Sequence, residues 1–333
     1  MITETQMEAL YFANKYYPKA NTGQNFTQEI NFSHQRGVAY ESNNIYFASG
    51  INRGGHVLFL SAEEAKRMSL EKWIELSFGD SQPASIEKMP GRIYKRIFRP
   101  IAIPNSGLPR GISYDEEVLV SSAVSLKMLI RRMETLFETV EPVGANLKTY
   151  GHSIRELLLL ACMEVESAWS AVLRDNGYSS RATFSTNDYV KLAAPMLLDA
   201  YELSLSSYSG FPSFYPFKNW DMTKPTQSLD WYDAYNKTKH DRETYLSLAT
   251  LENVVRAVGA VVVMFNAQFG YRPLIPGSHQ FEGPVQNIFK FVTIDMEKYE
   301  KEFYLPEMTL DLSQPEHLKA QGSLQWKAEN YPF

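Results

Sequence analysis

The sequence predicts an α+β protein: a β-rich N-terminal domain, then a helical bundle, then an extended C-terminal tail that packs back. In the first third, short apolar runs of strand length are separated by turn residues. In the middle, apolar residues recur with helical spacing after N-capping signals. The Pro- and Gly-rich stretch Pro104–Gly111 is the best linker. We therefore assign residues 1–111 to the β-rich domain, 112–270 to the bundle and 271–333 to the tail, a candidate to complete the first domain.

The elements of the first third follow from local signals. Val38–Ser42 and Ile45–Ser49 flank Asn43-Asn44, and because Asn tolerates positive φ this pattern predicts a hairpin. Ser61 and Glu64 form a capping box that opens a short helix. Further strands are predicted at His56–Leu60, at Trp73–Phe78 and in the basic-apolar run Arg92–Ile103.

The middle of the chain is predicted to be helical. Capping boxes at Ser113/Glu116 and Ser153/Glu156 open two long helices, which end near Pro142 and Gly177. The later elements are a short helix from about Asn187 to Pro195, a strand at Tyr201–Leu205, helices at Leu229–Glu243 and from Leu251 to Gly270, and strands at Phe289–Ile294 and Phe303–Leu312.

Composition and charge restrict the function. The chain has 333 residues, 44% of them hydrophobic, which suggests two domains. Its 33 basic and 38 acidic residues give a net charge of −5, so any nucleic-acid contact must come from a local patch. Cys162 is the single cysteine, which excludes an intrachain disulfide and a Cys-rich zinc site and fits a reducing compartment.

Cofactor, metal and membrane signals are missing from the sequence. It has no standard phosphate-binding glycine loop, no His-Glu-x-x-His helix and no nucleophile elbow, so we expect neither a cofactor nor a metal. Met1–Leu10 has neither the basic start nor the apolar core of a signal peptide. The apolar run Ala257–Phe265 is far shorter than the roughly 20 residues of a membrane span. We expect a cytoplasmic protein without membrane contact.

One predicted helix carries the main candidate site. Asn236, His240 and Glu243 lie four and three residues apart and would share a face, with Lys239 at its edge. An imidazole titrates near neutral pH, so His240 is a candidate general acid/base. The alternative is a salt-bridged helix histidine beside Asp241 and Glu243. Asn236 either orients a phosphate or His240, or is a helix-interior amide bonded to a loop carbonyl.

This segment resembles the HEPN superfamily of helical-bundle proteins. The signature there is an Arg, usually followed by Asn, with four to six residues in all between the Arg and a His. Asn236 and His240 match the Asn and the His, and Tyr235 stands at the Arg position. The helix Ile154–Asn176 is similar to the one that precedes the motif helix in several bacterial HEPN-like proteins. The resemblance covers about Ser113–Gly270.

The resemblance implies two functions. In the family the Arg and His act together in metal-independent RNA cleavage, with active sites meeting across a homodimer, often in phage defence or toxin–antitoxin systems. His240 would then handle the proton of the 2′-hydroxyl or leaving group, and Asn236 with Lys239 or Arg242 would hold the phosphate. Tyr235 and Lys237 are further phosphate-binding candidates.

The alternative is a non-catalytic module that binds nucleic acid, nucleotide or a protein partner, with the β-rich domain as sensor. A neutral Tyr cannot replace the permanent cation of Arg, which favours this alternative on chemistry.

Three other features are candidates, each with a structural alternative. Glu164 is predicted to be half-buried while Glu166 points away, so Glu164 needs a partner on the motif helix and is either catalytic or part of an ordinary ion pair. The aromatic segment Tyr208–Trp220 either stacks bases or packs a long loop. The densest basic cluster is a candidate to bind RNA, DNA or an acidic partner, or else protects an edge strand. It comprises Arg92, Lys95, Arg96 and Arg99, with Lys88 and Arg110 nearby.

Overall fold

The chain forms two compact units in the computed structural model. Unit one comprises Met1–Ile93, Arg99–Ile112 and Glu297–Glu329; unit two comprises Tyr94–Phe98, Ser113–Met296 and Asn330–Phe333. An antiparallel sheet in the N-terminal region followed by a helical region confirms the predicted α+β class. The proposed linker Pro104–Gly111 lies outside the described residues. Those residues are 8–22, 28–51, 57–87, 89–102, 113–179, 183–270, 285–294, 302–311, 313, 320–322 and 326–333.

A five-stranded antiparallel sheet organises unit one, with strand order β6-β5-β4-β1-β7. The predicted hairpin is confirmed: β4 and β5 pair from Gly37↔Gly50 to Ser42↔Ile45, and Asn43 and Asn44 take φ of 51° and 61°. The elements of this region are β1 Glu8–Ala13, β2 Lys19–Thr22, β3 Gln28–Asn31, β4 Arg36–Ser42, β5 Ile45–Gly50, β6 Leu58–Leu60, α1 Ala62–Ala65, α2 Leu70–Phe78, β7 Ala84–Glu87 and β8 Arg92–Tyr94.

Both faces of this sheet are buried, because successive side chains of a strand point to opposite faces. On one face Leu10 and Phe12 of β1 pack with Trp73 and Phe78 of α2. The second face is covered by segments distant in sequence, and the Tyr40 hydroxyl donates to the Pro306 carbonyl oxygen at 2.6 Å. The buried residues on this second face are Ala9, Val38, Tyr40, Phe47, Ile51, Ala102, Phe303, Leu305 and Met308.

Two predicted strands of this region are wrong. Trp73–Phe78 lies in helix α2, because the Ser69 side chain accepts from the Lys72 backbone N–H at its start and Gly79 supplies a left-handed residue at its end. Within the predicted strand Arg92–Ile103, the described residues 92–102 form a strand only over Arg92–Tyr94. Arg96 then takes a left-handed φ of 54°, which ends the extended conformation.

Unit two is built around one buried helix, α8, which packs against α3, α4 and α6. Every residue of α8 from Ala257 to Phe269 is buried, so this helix forms the centre and not one amphipathic edge. The elements are α3 Glu116–Thr139, α4 His152–Asp175, α5 Thr186–Tyr189, β9 Tyr201–Leu205, α6 Asp230–His240, α7 Arg242–Tyr245, α8 Leu251–Phe269 and β10 Phe289–Ile294.

The long helices begin at residues other than the predicted caps. Asp115, not Ser113, caps α3 by accepting from the Glu117 backbone N–H at 2.8 Å. Helix α4 already includes Ser153, since it starts at His152 after Gly151 and has no side-chain cap. The capping-box pattern therefore located both helices but misplaced their first residues.

The C-terminal segment is divided between the two units. Strand β10 pairs antiparallel with β9, so residues 289–294 belong to unit two. Residues 302–310 instead cover the sheet of unit one. Within the predicted strand Phe303–Leu312, the described residues 303–311 are regular only in β11, Met308–Leu310, which pairs with β12, Ala320–Gly322. A last strand, β13 Lys327–Glu329, pairs with β8. In the part of the chain that is described, no helix has the length and apolar character to cross a membrane.

Candidate functional site

The N-terminal half of the motif helix α6 is joined to α4 by a buried cluster of hydroxyls around one carboxylate. The Tyr232 hydroxyl donates to Glu166 Oε1 at 2.6 Å, and the Tyr235 hydroxyl donates to Glu166 Oε2 at 3.2 Å. Lys239 Nζ donates to the Tyr235 hydroxyl oxygen at 3.0 Å and lies 5.0 Å from the centre of that ring. We call Tyr232, Tyr235 and Glu166 the tyrosine–glutamate cluster; the exposed Lys239 borders it.

Burial gives the cluster its chemistry. Tyr235 is fully buried. Burial, followed by the neighbouring Glu166, raises the pKa of Tyr232 and of Tyr235 well above the ordinary range, so both phenols stay protonated and act as donors. Tyr235 is thus engaged inside unit two, which argues against its predicted role as a phosphate ligand.

The carboxylate that faces the motif helix is Glu166 and not Glu164. We predicted that Glu164 would find a partner on the motif helix and that Glu166 would point away; this prediction is wrong. Glu164 instead lines a cavity among α3, α4 and α8. The apolar stripe of α4 does not show which of the two glutamates beside it faces α6. The signal for Glu166 was the pair of tyrosines on α6, whose hydroxyls need a buried acceptor.

Asn236 bonds within its own helix. Its Nδ2 donates to the Tyr232 carbonyl oxygen at 3.0 Å, one turn earlier. This is close to the structural alternative for Asn236, with a helical carbonyl in place of a loop carbonyl as the acceptor.

The C-terminal end of α6 is exposed and cationic. Three exposed residues lie here, and we call them the cationic end of α6: Lys239 and His240 of α6 and Arg242, the first residue of α7. The side chains of His240 and Arg242 make no hydrogen bond or ion pair with any residue that the structure describes. Lys237, a further candidate, pairs with Asp233 at 2.6 Å. His240 therefore has the accessibility that either proton transfer or ligand contact would need.

The predicted alignment of Glu243 with His240 is wrong, because α6 ends at His240. Asp241 takes φ −139° and ψ 86°, outside the helical region, and its carboxylate accepts from the Thr244 backbone N–H at 3.0 Å to cap α7. Side-chain and backbone hydrogen bonds with Thr244 lower the pKa of Asp241, so it stays ionised as a cap. Glu243 consequently lies on a different helix.

Arg155 is a site residue that sequence reasoning missed. From the first turn of α4 its Nη2 and Nε donate to the Thr238 carbonyl oxygen at 2.9 and 3.3 Å. The contact places a guanidinium at the last turn of α6, two residues before His240. No motif spacing within one helix can reveal it, since it depends on how α4 packs against α6.

The arginines of the basic cluster are used internally. Arg92 pairs with Glu329 in unit one, and Arg99 pairs with Glu302 at 3.4 Å. Arg96 belongs to unit two, where it bonds Gln268 and Asp175. Lys95 is half-buried. The expected nucleic-acid patch along Arg92–Arg99 is therefore not a solvated row of charges, and the edge-strand alternative also fails beyond Tyr94.

The aromatic segment Tyr208–Trp220 packs as a loop. Phe211, Phe214 and Phe217 are buried, and the Trp220 ring stacks on Trp169 of α4 at 4.7 Å between centroids. Phe214 exchanges two backbone hydrogen bonds with Leu203. The rings anchor the loop, which favours packing over base stacking.

Neither a metal site nor similarity to known proteins indicates a function. Among the described residues, no group of His, Cys, Asp and Glu is arranged to hold a metal ion. No protein-family model, curated protein or solved structure matches the chain. Its chemistry must therefore be inferred from its own residues.

Proposed function

We propose that unit two is a HEPN-like helical module that binds RNA at the cationic end of α6. The observation that carries this proposal is the concentration of accessible polar groups there. The cationic side chains of Lys239 and Arg242 and the imidazole of His240 are exposed, and the Arg155 guanidinium lies against the last turn of α6. Phosphate contacts by Lys and Arg supply most of the sequence-independent affinity for nucleic acid.

The chemistry of α6 favours binding over catalysis. The family's mechanism needs an Arg beside the His, and Tyr235 is a buried neutral donor to Glu166. Asp241 and Glu243 next to the cationic end reduce its local positive charge, so we expect moderate and strongly salt-dependent affinity. The resemblance adds the expectation of a homodimer.

The binding test is fluorescence anisotropy of a labelled single-stranded RNA over a range of salt concentrations. We expect Arg242→Ala to weaken binding and to reduce the slope of log affinity against log salt by about 0.7, the value for one lost phosphate contact on a single strand. Arg131→Ala is the matched control, because Arg131 is an exposed arginine on α3. No binding by the wild type at low salt, or an equal loss in the control, would contradict the proposal.

A second candidate function is metal-independent RNA cleavage by the same surface, in phage defence or as a toxin-like effector. What favours it is that a guanidinium from α4, that of Arg155, contacts the Thr238 carbonyl two residues before the exposed imidazole of His240. Arg155 would supply the cation that Tyr235 does not, and His240 would transfer the proton at the 2′-hydroxyl or the leaving group.

Cleavage is tested by incubating RNA with the protein in EDTA. His240→Ala should abolish cleavage, whereas Arg155→Lys should retain part of the cleavage activity because the charge remains. Asn236→Ala tests whether the amide bonded to Tyr232 also contributes. Intact RNA with the wild type, under resting and activating conditions, would leave only the binding function.

A further inference from the structure

A cavity in unit two lies on a different face of α4 from the proposed RNA surface. It has a volume of about 550 Å³, is partly open to solvent, and is lined by the N-terminal half of α3, the C-terminal half of α4 and the C-terminal half of α8, together with Arg96. This volume is in the range of pockets that bind small molecules. The cavity is made entirely by unit two.

The sequence leaves this space open by placing small residues where the helices face each other. Ser121 and Ser125 of α3 and Ala168 and Ala171 of α4 line the cavity, and their short side chains leave the space between the helices unfilled. The side chains of Ser121 and Ser125 make no hydrogen bond with any residue that the structure describes. Their hydroxyls can therefore accept from a ligand.

A buried arginine forms part of the wall and is already neutralised. The Arg96 side chain is only 9% exposed and pairs with Asp175 at 3.2 Å. Its Nε and Nη2 donate to Gln268 Oε1 at 2.9 and 2.6 Å. Burial lowers the pKa of Arg96, and the bond with Asp175 opposes that change. The charge of Arg96 is therefore balanced within the protein.

The uncompensated charges at the cavity are two carboxylates. Glu164 of α4 is half-buried and Glu117 of α3 is exposed, and neither has a cationic partner among the described residues. A partly desolvated carboxylate is stabilised by an opposite charge. The apolar part of the wall comes from α8, through Val261, Met264 and Phe265.

We propose that this cavity binds a small organic cation with a primary ammonium group and an aliphatic chain, of the class of the aliphatic di- and polyamines. The ammonium would pair with Glu164 and donate to the serine hydroxyls, and the methylene groups would pack against Met264 and Phe265. The proposal is independent of RNA binding, since the cavity and the cationic end of α6 share no residue.

The test is isothermal titration calorimetry of the full chain with 1,4-diaminobutane. The neutral isostere 1,4-butanediol and the dicarboxylate succinate serve as comparison ligands. We expect the diamine to bind with a stoichiometry of one and the other two not to bind. Glu164→Gln should weaken diamine binding about tenfold, the effect of losing one charged hydrogen-bond partner. Ala168→Leu, which fills the cavity, should remove binding.

The matched control is Glu156→Gln, which removes an exposed carboxylate from the same helix outside the cavity. It should bind the diamine as the wild type does. Equal weakening in Glu156→Gln would mean nonspecific attraction to an acidic protein and would overturn the proposal, as would equal affinity for the diol or no diamine binding by the wild type. If Ala168→Leu does not fold, the isosteric Glu164→Gln still decides.

Discussion

The two halves of helix α6 differ in burial: the tyrosine side chains of the first half are bonded inside unit two, and those of Lys239 and His240 in the second half face solvent. In the N-terminal half, Tyr232 and Tyr235 are buried and bonded to Glu166. In the C-terminal half, His240 is exposed and has no partner among the described residues. A motif read along one helix treats these positions as a single site. Their burial separates them into a part that fixes α6 to α4 and a part that is available to a ligand.

The largest loss of stability should come from replacing Trp169, whose ring packs against Tyr232 in the buried half of α6. Trp169 is fully buried, stacks on Trp220 and meets the Tyr232 ring edge-on at 5.3 Å. Trp169→Ala should therefore lower the free energy of unfolding by about 3–5 kcal/mol. Urea denaturation followed by circular dichroism measures it. Met222→Ala, at a side chain that is 66% exposed, should cost at most about 0.5 kcal/mol; similar losses in both would contradict this account of the core.

The next largest loss of stability should distinguish Glu166 from Glu164, the two glutamates of α4. Glu166→Gln weakens two hydrogen bonds from buried phenols to a charged acceptor, so we expect a loss of about 1.5–3 kcal/mol. Glu164→Gln is the matched control and should change the unfolding free energy by at most about 0.5 kcal/mol, since Glu164 has no partner among the described residues. A larger loss of stability for Glu164→Gln than for Glu166→Gln would instead support the predicted contact between Glu164 and α6.

Local sequence signals predicted most secondary-structure elements correctly and misassigned one helix. The hairpin at Asn43-Asn44 and the position of α8 follow from local chemistry, namely positive φ at Asn and helical periodicity. The helix α2 was misread because a run from Trp73 to Phe78 has the length of a strand, and only its capping residues Ser69 and Gly79 show otherwise. Local patterns fix elements better than contacts between elements.

The candidate site was predicted less completely than the fold for the same physical reason. Asn236, Lys239 and His240 could be selected because they lie on one helix. Arg155 could not, because its contact with the Thr238 carbonyl depends on the packing of α4 against α6. The assignment of Arg96 as a nucleic-acid ligand failed because its charge balance rests on Asp175 and Gln268, distant in sequence.

A smaller effect depends on pH. The pKa of Tyr232 is raised in the folded state, first by burial and then by its bond to Glu166, from an unfolded value near 10. Its contribution to stability is therefore complete below about pH 10 and is lost as pH rises further, because only the unfolded chain releases the proton. Above that pH the loss approaches about 1.4 kcal/mol per pH unit for this group. Urea titrations from pH 8 to 11 should show a shallower decline for Tyr232→Phe than for the wild type; parallel curves would contradict the assignment.

The smallest effect on stability is expected for His240→Ala. Because the fold should be unaffected, any defect with RNA can be assigned to the lost imidazole. The His240 side chain is exposed and has no partner within the described chain, so His240→Ala should change the free energy of unfolding by at most about 0.5 kcal/mol. The same substitution should weaken RNA binding or abolish cleavage if the cationic end of α6 is the site. A variant that is as stable as the wild type but defective with RNA assigns His240 to function. A variant that loses stability and keeps RNA binding would instead place His240 with the buried half of the helix.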